Sequence, residues 1–114
     1  MQYLLLIYED EQRFAGLDSS AFKAELGEYH SFGREFEGII KGGNALQPTA
    51  TAKTVRVRDG KQLVTDGPFA ETKEQLGGYY LIEASNADEA IAAAARIPGA
   101  RFGSVEVRAI QTFS

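Results

Sequence analysis

The feature that most constrains this chain is a strand that is apolar on both sides. In Tyr3-Leu4-Leu5-Leu6-Ile7-Tyr8, the residues Leu4, Leu6 and Tyr8 alternate with Tyr3, Leu5 and Ile7, and alternate residues of a strand point to opposite faces. Neither face suits water. One is expected to lie under helices and the other under a second cover. The run is too short to span a bilayer, which takes about 20 apolar residues in a helix, and it passes into Glu9-Asp10-Glu11 without a basic flank. We therefore expect no membrane partner and a cytoplasmic location.

The rest of the chain supplies the first cover. Asp18, Ser19 and Ser20 offer helix caps, and Phe22, Leu26, Tyr29, Gly33, Phe36 and Ile40 recur at helical spacing. That spacing predicts a helix stopped by Gly42-Gly43, with Gly33 allowing close approach to the sheet, and then a short strand from Asn44 to Gln47. Lys53 to Arg58 and Lys61 to Thr65 flank Asp59-Gly60, a dipeptide that tolerates the positive φ of a tight hairpin turn. The hairpin is expected to turn its valines inward and Arg56 and Arg58 outward. Gly78 to Ala84 reads as a strand, Ser85-Asn86-Ala87-Asp88 as a capping box, and Val105 to Ile110 as a closing strand after an Ala-rich helix.

The resulting order is strand, helix, strand, inserted hairpin, strand, helix, strand. It predicts an α+β fold, a ferredoxin-like split β-α-β sandwich with one helix layer on an antiparallel sheet. Apolar surface left on the other sheet face marks an interface, so a homodimer is expected. The 114 residues fit one domain spanning the whole of 1–114, long enough for one modest core.

Charge and residue types exclude several functions. A net charge of -4 and a pI near 5.0 argue against a nucleic-acid partner, which needs a concentrated basic face. The absence of cysteine excludes disulfides, thiolate catalysis and Cys-based zinc sites, and a single histidine cannot build a His-based metal site. There is no Gly-rich phosphate loop and no Gly-x-Ser-x-Gly elbow, and an all-carboxylate cation site lacks a loop signature. No cofactor and no metal are expected.

The densest signal is Val64-Thr65-Asp66-Gly67-Pro68-Phe69-Ala70-Glu71-Thr72-Lys73-Glu74-Gln75-Leu76-Gly77-Gly78-Tyr79-Tyr80-Leu81-Ile82. It closely resembles the signature segment of the YCII-related family, in the branch named after its Asp-Gly-Pro-Phe tetrapeptide. Met1 to Glu11, Ala52 to Gly60 and Val105 to Arg108 share the family's look in the same order. The resemblance implies a small bacterial protein of the dimeric α/β-barrel group, in which two ferredoxin-like sheets face one another around a shared interior. It also implies a helix histidine paired with an aspartate, the site proposed in some shorter relatives; the matching position here is Tyr29 or His30. Association with an extracytoplasmic-function sigma factor is a further implication.

The candidate catalytic residues are Asp66, Glu71, Lys73 and His30, and the candidate ligand-binding residues are Tyr3, Lys73, Tyr79 and Tyr80. Asp66 reads either as a cap of the Gly67-Pro68 turn or as a site carboxylate. His30 reads as a solvated helix residue or as half of a dyad. Tyr79 and Tyr80 must point to opposite sheet faces, as pocket wall or as core. Two functions stand. One is a homodimer binding a small polar or anionic molecule at Lys73 in or near the dimer interior, with or without catalysis. The other is a regulatory module that binds a sigma factor.

Overall fold

The N-terminal alternation becomes β1 (Gln2–Glu9), an inner strand of a four-stranded antiparallel sheet. The computed structural model describes residues 1–113. Tyr3, Leu5 and Ile7 are buried on one phase of β1, and that phase ends in Glu9, also buried. Leu4, Leu6 and Tyr8, on the other phase, are only part-buried.

Asp10 accepts from the amide of Gln12 at 2.9 Å and opens a short helix, α1 (Glu11–Ala15), which was not among the elements expected from sequence. Asp18 accepts from Ala21 N at 2.7 Å and caps α2 (Ser19–Glu35). Then come β2 (Ile40–Ala45), β3 (Lys53–Arg58), β4 (Lys61–Asp66), β5 (Gln75–Glu83), α3 (Ala87–Ala95), a 3-10 turn over Pro98–Arg101, and β6 (Ser104–Ala109). Asn86 caps α3 through Glu89 N at 2.9 Å.

The main sheet runs β2-β5-β1-β6 with every neighbouring pair antiparallel. β5 thus lies between β1 and β2, the split β-α-β arrangement expected of a ferredoxin-like fold. Phe32 of α2 and Ala90, Ala93 and Ala94 of α3 cluster with Tyr3, Leu5, Ile7 and Ile82, which share one phase of the sheet. Full burial of Phe32, Leu5, Ile82 and Ile97 contributes about 2 kcal/mol each. On the other phase Leu4 opposes Leu81 and Leu6 opposes Tyr79. Among the described residues, no helix packs there.

The geometry corrects several expectations. α2 ends at Glu35, and Gly42-Gly43 lies within β2 instead of stopping the helix. The glycine at 43 serves strand packing: a Cβ there would stand 2.8 Å from both the Tyr79 carbonyl and the Tyr80 ring. Gly33 has nothing within 4 Å of its Cβ position and makes no close approach. The inward stripe of α2 is Glu25, Tyr29, Phe32 and Phe36, while Phe22 and Leu26 are exposed. Gly77-Gly78 sits inside β5, where the register with β1 shifts between Ile7 and Tyr8.

The β3–β4 hairpin turns at Asp59 (φ 51°) and Gly60 (φ 74°) as predicted. Its valines do not face inward, because the hairpin forms a separate sheet and leaves Val55, Val57, Leu63 and Val64 exposed. The radius of gyration of 16.1 Å exceeds the ~13 Å of a compact domain this long, in keeping with a hairpin that forms a sheet of its own apart from the main one. Among the described residues, no helix is long and apolar enough to cross a membrane.

Candidate functional site

Two positions that periodicity assigns to the core carry carboxylates. Glu9 continues the buried phase of β1 and Glu25 continues the buried stripe of α2, and they are 6% and 5% exposed. A buried charge must be paired and hydrogen-bonded or it costs several kcal/mol. Arg13 of α1 supplies the pairing, donating from Nη2 to Glu25 Oε1 at 2.8 Å and from Nη1 to Glu9 Oε2 at 3.4 Å. Its guanidinium lies 3.7 Å from the centre of the Phe102 ring, which fixes its plane and shields it. The Tyr29 hydroxyl donates to Glu9 Oε1 at 3.4 Å.

The turn over Pro98–Arg101 closes one side of the cluster. A Cβ on Gly99 would stand 3.0 Å from the Tyr29 hydroxyl and 2.9 Å from Ile7 Cγ2, and would overlap the Glu9 carboxylate. Only glycine fits there. The site is thus built from four places in the chain: the end of β1, α1, the middle of α2, and the turn before β6.

Charge balance sets the protonation. Burial, and secondly the neighbouring Glu25, push Glu9 above the ordinary glutamate range, more than Arg13 and the Tyr29 hydrogen bond hold it down. The Tyr29 phenol is raised strongly, first by burial and then by Glu9, so it stays a neutral donor. Burial also raises Tyr80. Glu25 Oε2 is buried and has no hydrogen-bond partner among the described residues.

From Glu9, Glu25 and Tyr29 a cleft of about 740 Å³ opens between the α1–α2 side and the β2–β5 edge. Phe14, Phe22, Leu26, Leu46, Leu76 and Tyr80 give it largely apolar walls. Glu11 also lines it, accepting from Thr49 N at 3.1 and 3.2 Å and so tying the segment after β2 to α1. A cavity of this size with a few convergent polar groups is the usual form of a small-molecule site.

Of the candidate catalytic and ligand-binding residues, only Tyr79 and Tyr80 border this cleft, joined by Tyr29, one of the two helix positions the resemblance offered. They do point to opposite faces: the Tyr80 ring lies 5.0 Å from Phe32, while the Tyr79 hydroxyl accepts from Asn44 Nδ2 at 2.8 Å. Tyr3 is core, with its hydroxyl on Met1 Sδ at 3.4 Å. Asp66 is exposed and pairs with Lys53 Nζ across the hairpin instead of capping the Gly67-Pro68 turn. Glu71 and Lys73 are exposed on the irregular connector before β5, outside the cleft, and His30 is exposed on α2. Glu9, Arg13 and Glu25 escaped sequence reasoning. The available signal was a carboxylate recurring in phase with apolar residues. Among the described residues no group of three or more His, Asp or Glu side chains is disposed to hold a metal ion.

The sequence model of the YCII-related domain matches residues 1–114. The chain belongs to the YCII-related family. An uncharacterised protein of Rhizobium meliloti (strain 1021) is 36% identical over 117 residues, covering 99% of this chain and 94% of that protein. In this YCII-related chain, Tyr29 faces the cluster and His30 faces water.

Proposed function

We propose that this YCII-related protein is a homodimer that binds a small molecule in the cleft beside α2, where Glu9 serves as a proton donor. The observation that carries the reading is Glu9 itself, a buried carboxyl among the lining residues of an apolar cleft. A general acid needs a proton held into the working pH range and hydrogen-bond reach to its target. Burial and Glu25 favour the proton on Glu9; Arg13 and Tyr29 stabilise the carboxylate left after it departs. Lys73, exposed and outside the cleft, supports an anionic ligand less well.

The dimer has separate support. Leu4, Leu6, Tyr8, Tyr79 and Leu81 form a part-buried apolar strip on the sheet face without helices. A second copy packed there would give the shared interior of the dimeric α/β-barrel group. Asp66-Gly67-Pro68-Phe69 supports placing the chain in the branch named after that tetrapeptide.

The test is extraction of small molecules bound to wild type and to Leu26→Trp, both purified from the native cell. Leu26 is an exposed cleft residue, so tryptophan there fills the cleft at little cost to folding. A molecule held by the wild type and lost from the variant, both with dimer mass by light scattering, is expected. Equal retention by the two proteins would place the ligand elsewhere, and a monomer mass would remove the dimer.

A further inference from the structure

We propose that the cleft selects organic ammonium compounds, a protonated amine on an apolar body, with the ammonium seated against Glu25. The proposal rests on the cleft being the ligand site, and adds the chemical class of the ligand. Its first support is the lining: the charged residues there are Glu9, Glu11 and Glu25, and no lysine, arginine or histidine is among them. A ligand with a negative charge would meet carboxylates wherever it met charge at all.

The second support separates the three carboxylates. Glu11 is occupied by the Thr49 amide, and Glu9 by Tyr29 and Arg13. Arg13 engages only Oε1 of Glu25, leaving Oε2 buried and without a donor among the described residues. A buried carboxylate oxygen without a donor carries an uncompensated desolvation penalty. An ammonium brings three donors, a positive charge and no acceptor; an alcohol brings one donor and no charge.

The third support is aromatic. Phe14 and Phe22 meet edge to face with ring centres 6.0 Å apart, and Tyr29 and Tyr80 stand among the lining residues beside them. Aromatic faces attract ammonium groups, and together with carboxylates they form the usual recognition surface for organic cations. Leu26, Leu46 and Leu76 would receive the apolar body.

Isothermal titration with 2-phenylethylamine, 2-phenylethanol and 3-phenylpropionate tests the class on a common aromatic body. Against wild type, the amine should bind at least about tenfold tighter than the alcohol, and the acid should bind weakest. Glu25→Gln should lose about tenfold in amine affinity and leave the alcohol unchanged. Should that variant fail to fold, Leu26→Lys supplies the same reading from an exposed rim position, weakening the amine, sparing the alcohol and strengthening the acid. Equal affinity for amine and alcohol, a preference for the acid, or amine affinity indifferent to both substitutions overturns the ammonium class while leaving the cleft as a binding site. Failure of all three probes on wild type also overturns it, and the native extraction then decides separately whether the cleft binds anything.

Discussion

Two carboxylate–cation contacts in this protein use the same functional groups in opposite surroundings. Lys53 and Asp66 meet across the β3–β4 hairpin with side chains 62% and 82% exposed. Arg13 and Glu25 meet under α2, where the Glu25 side chain is 6% exposed. Water and salt screen the first pair, which is worth at most about 1 kcal/mol. The second cannot lose a partner without stranding a buried charge. Solvent, more than residue type, decides which carboxylate can have its protonation and reactivity altered, so the chemistry is expected at the buried cluster.

The largest expected effect follows directly. Arg13→Ala should cost about 3 kcal/mol in urea denaturation, because it leaves Glu9 and Glu25 buried together without a cation. A cost under about 1 kcal/mol would mean that water reaches the cluster and that the two regions differ less than their burial suggests.

Gly99→Ala comes next at about 2 kcal/mol, from overpacking against Glu9, Ile7 and Tyr29. Its signature is a loss of cleft binding larger than the loss of stability would explain. Unchanged binding would show that the Pro98–Arg101 turn does not hold the cluster in place.

Glu9→Gln should act through pH. The folded-state pKa of Glu9 lies above its ordinary value of 4.5, so its favourable contribution is fully present below that value and is lost as pH rises through the folded pKa. Glutamine mimics the protonated form. Thermal melts should therefore show the variant gaining on wild type as pH rises from 4 toward 7; a gain in the opposite direction would mean that Arg13 dominates.

At the small end, Asp66→Ala should shift stability by no more than about 0.5 kcal/mol, since it removes only an exposed ion pair. A loss above about 1 kcal/mol would show that the hairpin pair is organised more like the buried one.

Much of the fold was legible because local rules and burial agree along most of the chain. Strand alternation marked β1, Asp59-Gly60 marked the hairpin, and the Ser85–Asp88 capping box marked the start of α3 to within one residue, the observed cap being Asn86. The end of α2 was misplaced because Phe36 and Ile40 continue the helical spacing while serving the turn and the next strand. The inward phase Tyr3, Leu5, Ile7, Glu9 and the stripe Glu25, Tyr29, Phe32, Phe36 did announce buried carboxylates. Read in order, though, Glu9-Asp10-Glu11 resembles the polar end of a strand. Arg13 had no local signal, since its reach to Glu25 depends on where α1 docks. The segment 64–82 encodes strand packing at Gly78 and an exposed connector, and reaches the cleft only through its last part, from Gln75 to Tyr80.

The most direct measurement is the NMR titration of the Glu9 side-chain carboxyl, assigned by comparison with Glu9→Gln. The expected result is a midpoint above the ordinary glutamate value, with 2-phenylethylamine lowering it as the bound cation favours the carboxylate. A midpoint at or below the ordinary value would show that Glu9 is an ion-paired structural carboxylate and that the cleft holds no proton donor.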